Sequence, residues 1–183
     1  MNMIEGLVTD RSKSDVDHIE YLISKGIEGM TEEELAYFLR GSAIPAYAKD
    51  GALQNANGTI HCMDGVVKGA YNASDPNRVG AAVEYIAKRL SSLGYVVNVY
   101  PRTDWKSEDF PNASDAKAYL SNISELRGAI SMPEGTPSVP VDMNGFTYSE
   151  ANNIEQILRI IEDSINRMVD ANIYCGEFCG GEV

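Results

Sequence analysis

Residues 71–100, YNASDPNRVGAAVEYIAKRLSSLGYVVNVY, constrain the fold more than any other stretch of the sequence. Their start offers three side chains that can cap a helix, namely those of Asn72, Ser74 and Asp75, and Pro76 then suits the first helical turn. Apolar residues follow at helical spacing, which is the pattern of one buried face: Val79, Val83, Ile86, Leu90 and Leu93. Gly94 favours the left-handed conformation that ends a helix. The stretch therefore predicts a capped amphipathic helix.

Short β elements are expected beside this helix. Residues 95–100, YVVNVY, are rich in strand-forming side chains and stop at Pro101. Residues 54–62 could form a hairpin around the Asn57-Gly58 turn signal. Trp105 is the single tryptophan, and we expect it to anchor the crossing to the next helix with its ring buried and its indole N–H bonded.

Four other segments carry helix signals. They cover residues 9–26, residues 31–40 with a capping box of Thr31 and Glu34, residues 112–130 after Asn112 or Ser114, and a long helix that opens with a capping box of Thr147 and Glu150. The long helix carries a broad apolar stripe: Ile154, Ile157, Leu158, Ile161, Ile165, Met168 and Val169. Its charged residues, Glu155 and Glu162 among them, are expected on the opposite side. The sequence thus predicts a mainly α fold, an antiparallel helical bundle of about five helices with one or two short β elements.

One domain, 1–183, is expected for a chain of this length. Residues 43–66 are rich in glycine and interrupt the helical pattern, so they are predicted to be an insertion. Residues 174–183, YCGEFCGGEV, are predicted to form a non-helical arm that places Tyr174, Phe178 and Val183 into separate pockets. The alternative for this segment is a frayed terminus.

The net charge of -12 disfavours nucleic acid and anionic membrane surfaces as partners. No apolar run approaches the roughly 18 residues of a membrane helix, and the N-terminus lacks the basic and apolar blocks of a signal peptide. We therefore expect a protein that is used without secretion or membrane insertion. Three cysteines are too few for a disulfide scaffold.

Candidate catalytic and metal-binding groups are few. The cluster of His61, Cys62 and Asp64 has suitable groups, but neighbours on a strand point to opposite faces, so His61 cannot easily activate Cys62. A zinc site of His61, Cys62, Cys175 and Cys179 would have suitable ligand types, but the spacing matches no known zinc pattern. No glycine-rich phosphate loop follows a strand. The sequence therefore predicts no enzyme, no cofactor and no metal.

A cluster of polar residues marks the entry to the helix predicted within residues 71–94: Tyr71, Asn72, Asp75, Asn77 and Arg78. An arginine among tyrosine, asparagine and aspartate could hold a carboxylate or a sugar. The structural interpretation is that these groups satisfy the helix entry and a neighbouring loop. We expect the structural role.

Several segments together resemble a family of uncharacterised proteins encoded in phages and prophages of gut Firmicutes, often among tail genes. The resemblance rests on LVTDRSKSDVDHIEYL, MTEEELAYFL, KGAYNASDPNRVGAAVEYIAKRL, the TDW motif and the terminal YCGEFCGGEV, and it leaves out about 43–66. It implies a virion structural protein of the tail, baseplate or host-recognition apparatus, made in the bacterial cytoplasm and located in the virion. The implied partners are the chain itself, as a homo-oligomer, and other virion proteins. The alternative is a soluble phage-encoded binding module that modulates a host protein.

Overall fold

The computed structural model describes residues 4–38, 67–106, 109 and 112–179, with side chains as far as residue 171. It contains five α-helices and one short 3-10 helix. Their bounds are α1 Lys13–Lys25, the 3-10 helix Ile27–Gly29, α2 Glu32–Phe38, α3 Ser74–Ser92, α4 Ala113–Ala129 and α5 Tyr148–Cys179. The predicted mainly α fold of five helices is confirmed, and the described ranges contain no β-strand.

All five helices begin in the same way, with a backbone N–H that donates to a carboxylate three residues later. The pairs and their N–O distances are Ser12 to Asp15 at 2.8 Å, Thr31 to Glu34 at 2.7 Å, Asn72 to Asp75 at 2.9 Å, Asn112 to Asp115 at 3.1 Å, and Thr147 to Glu150 at 2.8 Å. The capping boxes predicted at Thr31 and Thr147 are therefore present. Because each pair is local, the sequence alone is enough to start each helix.

Helices α3, α4 and α5 pack on one another and form the body of the protein. Their apolar faces meet in one core whose central residues are fully buried: Val79, Ile86, Leu90, Ile123, Leu126, Ile154, Ile157, Leu158, Ile161 and Ile165. A smaller cluster of Ile19, Leu22 and Val67 holds α1 and α2. Ile23, which follows Leu22 on α1, is 61% exposed.

The three long helices run parallel to one another, so the predicted antiparallel arrangement is wrong. Contacts between α3 and α5 advance in the same direction along both helices, from Arg78 on Glu155 to Tyr85 on Glu162. The start of α4 lies beside the start of α3, and its end lies beside the end of α3 and residue 168 of α5. A helix of 19 residues is about 28 Å long, and roughly nine extended residues cross that distance. The connecting residues 93–112 and 130–147 are longer than this, so each can return to the end at which the previous helix began.

Residues 95–100, predicted as a β-strand, form the first of these return segments and pair with no other strand. Their exposure alternates: Val97 and Val99 pack against the core, and Val96 and Tyr100 point outward with 86% and 83% exposure. Two backbone N–H groups of this segment face α4 and donate to its side chains. That of Asn98 donates to Glu125, and that of Tyr100 donates to Asn122. The strand-like pattern thus describes an extended chain, and side chains of α4 replace the neighbouring strand that a sheet requires.

Trp105 is held by its backbone and not by its indole group. The backbone N–H of Trp105 donates to the side-chain oxygen of Asn77 at 2.7 Å. The backbone carbonyl of Trp105 accepts from the side-chain nitrogen of Asn77 at 2.9 Å. The Arg102 guanidinium lies 4.0 Å from the ring centroid. The ring is half-buried, and Nε1 has no hydrogen-bond partner among the described residues, so the predicted N–H bond is wrong.

Helix α5 continues to Cys179, through the segment that was predicted to be a non-helical arm. A single glycine such as Gly176 costs a helix only about 1 kcal/mol, and a helix that is already formed extends across it. Tyr174 and Phe178 therefore lie on a helix, and Val183 lies outside the described residues. The predicted hairpin at 54–62 and the insertion at 43–66 also lie outside them.

Candidate functional site

Four charged side chains meet where α3 and α5 begin. Arg11 Nη2 donates to Asp75 at 2.8 Å and to Glu155 at 2.7 Å. Arg78 Nη2 donates to the same two carboxylate oxygens, at 2.5 Å and 2.8 Å. The result is a ring of two cations and two anions, which we call the charge cluster. It joins the segment before α1 to both long helices.

The charge cluster is closed to solvent. The side chains of Asp75 and Glu155 are 0% exposed, that of Arg11 is 2% exposed, and that of Arg78 is 14% exposed. The second oxygen of each carboxylate also accepts a hydrogen bond. In Asp75 the donor is the backbone N–H of Asn72, and in Glu155 it is the backbone N–H of Val8. Burial by itself lowers the pKa of Arg78. The hydrogen bond to Glu155 and the charge of Glu155 raise the pKa by a larger amount, so the net change is upward. A cluster with these internal partners has the features of a structural element.

The structure brings the predicted polar residues into one neighbourhood and adds two that sequence reasoning missed. Asp75 and Arg78 belong to the charge cluster, with Arg11 and Glu155 as the added members. The expectation that Glu155 lies on the polar side of α5 is wrong, because its side chain is fully buried. Its spacing of four from Ala151 and three from Leu158 does place it in one row with buried residues, and this was the available signal.

An open cleft of about 810 Å³ lies beside the charge cluster, between the starts of α3 and α4 and the loop before α5. Tyr71 and Tyr119 are among its lining residues, and their hydroxyl oxygens are 2.6 Å apart. The ring of Phe146 packs edge-on against Tyr71, with centroids 5.0 Å apart. The other lining residues include Asn72, Pro76, Trp105, Lys106, Asp109, Asn112, Ala116, Lys117, Leu120, Val141, Asp142, Met143 and Asn144.

Both cleft tyrosines are weaker acids than an ordinary tyrosine. Burial raises the pKa of Tyr71, and this outweighs the lowering by its bond to Tyr119. Burial also raises the pKa of Tyr119, and the charge of Tyr71 adds to the effect. The pair therefore remains protonated well above the usual pKa of tyrosine, and one hydroxyl donates to the other.

No group of three or more His, Cys, Asp or Glu side chains suited to a metal ion occurs among the described residues. His18 packs its ring against Tyr21 and Tyr37 on the α1–α2 unit. The side chains of Cys175 and Cys179 lie outside the part of the chain that the structure describes. His61 and Cys62 lie outside it as whole residues.

No helix in the described ranges is both long and apolar enough to cross a membrane. Comparison with known protein families, with characterised proteins and with solved structures finds no significant match to the chain.

Proposed function

We propose that the protein is a structural subunit of a phage virion, in the tail, baseplate or host-recognition apparatus, and that it acts by assembly and not by catalysis. The proposed partners are other copies of the chain and other virion proteins. The sequence segments that resemble phage and prophage proteins support this role. The observation that carries it in three dimensions is the outward face of the return segment, residues 95–100.

This face combines exposed apolar side chains with a fixed backbone. Val96 and Tyr100 are 86% and 83% exposed, four positions apart on the same side of an extended chain. The segment is held by Glu125 and Asn122 beneath it, so its position is set before any partner binds. Fixed apolar groups cost little conformational entropy when a partner covers them, and this favours assembly.

The charge distribution supports the same surface. A chain with a net charge of -12 repels its own copies, and residues 95–100, YVVNVY, contain no ionisable group except the two tyrosines. Two acidic proteins can therefore approach here with less electrostatic cost than elsewhere. We expect the contact to be one of limited area that works together with others in a particle.

The test is to purify virions from an induced host that carries the gene and to identify their proteins by mass spectrometry. We expect the chain in the particles, at a constant ratio to the major tail protein through successive density gradients. A phage protein made in the host at a similar level but not packaged serves as the matched control. If the chain is lost from the particles during purification in the same way as the control protein, the proposal is overturned.

The second candidate function is a soluble phage-encoded module that binds a host protein. The cleft of about 810 Å³ favours it, because an open concave site beside a rigid charge cluster can receive a ligand or a side chain of a partner. In this case the chain remains in the host lysate when virions are removed. It also co-purifies with one host protein, and substitutions at the cleft abolish that association.

A further inference from the structure

We propose that helix α5 forms an antiparallel contact with the same helix of a second copy of the chain, through the part of α5 that projects beyond the body. The contact deepens the proposed role in assembly, because it names a partner and a surface separate from the return segment. It rests on that role only for its biological use, since the purified chain tests the contact whether or not virions contain the protein.

Helix α5 is longer than the helices that pack on it. It has 32 residues, against 19 in α3 and 17 in α4. Near the end of α3, Arg89 donates to Asn166 of α5, and the end of α4 lies beside Met168. Val169 is the last residue of α5 whose described side chain packs on the core. Residues 170–179 therefore project by about 15 Å beyond the level at which α3 and α4 end.

This projection gains little stability from its own sequence. It continues from a formed helix, which removes the cost of nucleation, but it contains Gly176, and glycine is a poor helix former. Most helical stability in proteins comes from tertiary packing of one face, and α3 and α4 end before they reach this part of α5. A partner that covers one face of residues 170–179 would therefore stabilise them.

One face of α5 runs from the body onto the projection without a charge. We call it the uncharged row, and its members follow at spacings of four, three, four and three: Ser164, Met168, Ala171, Cys175 and Phe178. Ala171, the first of them on the projection, is exposed. In a chain with a net charge of -12, such a row is a surface where two copies can approach at low electrostatic cost.

The end of α4 decides the direction of the partner helix. Ser164 and Met168 line an open groove of about 670 Å³ together with Gly128 and Ala129 of α4, so α4 lies on the side of the uncharged row. A parallel partner on this side would run into α4. An antiparallel partner packs along the projection, and its tip reaches the groove, where a Cβ atom at Gly128 would meet no atom within 4 Å.

Two-fold symmetry satisfies both surfaces at once. Each copy places its projection beside that of the other, and the tip of each lies at the groove of the other, as in an isologous interface. The overlap covers residues 168–178, which is about 16 Å of helix. Helices of this length bury less than the roughly 800 Å² per partner of a standard interface, so we expect a dimer that depends on protein concentration.

The native thiols provide a direct test in the full chain. In the double variant Cys62→Ser and Cys179→Ser, Cys175 is the only thiol. A short bismaleimide should join two copies of this variant, with a yield that rises with protein concentration. The matched control lacks all three cysteines and carries Lys88→Cys, at an exposed position of α3, and should give little covalent dimer.

A mixing experiment tests the direction. One chain keeps Cys179 as its only thiol, and the other has Arg167→Cys as its only thiol. These positions are about 18 Å apart along α5, at opposite ends of the overlap. In an antiparallel pair, position 167 of one copy lies level with position 179 of the other, so the mixture should crosslink and neither chain should crosslink by itself.

A charge in the uncharged row should weaken the contact. Ala171→Asp should raise the dissociation constant of the dimer about tenfold, because two-fold symmetry brings two new carboxylates close together. Ile23→Asp also places a charge at an exposed apolar residue, on α1, and should leave the constant unchanged. Ala171 is exposed, so thermal unfolding of Ala171→Asp should follow that of the wild type.

Four results would overturn the proposal. They are equal crosslinking through Cys175 and through Lys88→Cys, crosslinking of the Cys179 chain alone as efficiently as in the mixture, an unchanged dissociation constant in Ala171→Asp, and a Cys175 thiol that resists a small maleimide and never joins two copies. The last result would show that the row is covered within one chain. If the dimer forms as described but virions lack the chain, only the proposed function is overturned.

Discussion

Arg11 and Glu155 lie 144 positions apart in the sequence and form an ion pair of 2.7 Å, with side chains that are 2% and 0% exposed. The pair fastens the segment before α1 to the start of α5, and Asp75 and Arg78 complete the ring. A buried charge that loses its partner keeps its desolvation cost, so the energetic importance of this contact lies mainly in what its removal would leave behind.

Removal of either arginine of the charge cluster should therefore destabilise the fold. Arg78→Ala should lower the free energy of unfolding by roughly 1–3 kcal/mol, because it leaves buried carboxylate oxygens with fewer donors. Arg11→Ala should cost more, about 3–5 kcal/mol, since Arg11 is almost completely buried. Urea unfolding measures both. Arg167→Ala on the exposed side of α5 is the control and should change stability by less than about 0.5 kcal/mol. If Arg78→Ala leaves stability unchanged but abolishes binding to a partner, the interpretation as a ligand site is correct.

Two helical glycines should respond in opposite ways to alanine. A Cβ atom at Gly80 would lie 2.6 Å from the carbonyl oxygen of Arg102, so the backbone at Arg102 has to move, and Gly80→Ala should destabilise by roughly 1–3 kcal/mol. Gly128 on α4 has open space around that position, and Gly128→Ala should stabilise by up to about 1 kcal/mol through helix propensity. Thermal unfolding of the two variants checks this. A stabilised Gly80→Ala would mean that the backbone at Arg102 does not contact α3 closely.

The buried tyrosine pair should make the fold sensitive to alkali. The folded-state pKa values of Tyr71 and Tyr119 are raised above the usual 10.0, so the unfolded chain releases these protons first. The stability that depends on the protonated pair is therefore complete below pH 10 and is lost as the pH rises above it. Thermal unfolding measured from neutral pH to beyond pH 10 should show a smaller loss of stability with rising pH in the double variant Tyr71→Phe and Tyr119→Phe than in the wild type. Tyr148→Phe, on an exposed residue, should follow the wild type.

The body should fold without the predicted insertion. The helix caps and the buried residues that the structure describes in both clusters lie outside 43–66, so replacement of residues 43–66 by a short Gly/Ser linker should leave one cooperative thermal transition. A broad transition without a clear midpoint would contradict this. A second replacement that also removes Val67, which is 1% exposed in the α1–α2 cluster, should lower the midpoint.

We expect the full-length protein to self-associate. Light scattering at several concentrations should show a mass that rises with concentration. The double variant Val96→Asp and Tyr100→Asp should weaken the self-association, because it places charge on the return segment. Ile23→Asp, on an exposed residue of α1, is the control.

Deletion of residues 175–183 tests the other predicted contact in this association. An oligomer that survives the deletion unchanged would exclude a role for the C-terminal segment. A wild-type chain that stays monomeric at every concentration would remove self-association altogether.

The return segment shows how a correct local pattern can lead to a wrong element. Its alternation of apolar side chains does describe an extended chain, and Val97 and Val99 do face the core. A strand also requires a second strand at hydrogen-bonding distance, and that partner is a property of the whole fold. Here Asn122 on α4 accepts one of the backbone N–H groups in its place.

The sequence by itself determined where the helices begin and which residues form the main core. The capping pairs are three residues apart, and the apolar stripes repeat every three or four residues, so short-range chemistry specifies both. Only the tertiary structure decided that the three long helices run parallel and that Arg11 meets Glu155 beside an open cleft. Those features depend on contacts between positions far apart in the chain. The free energy of such contacts comes from burial and charge pairing, and neither exists until the helices have packed.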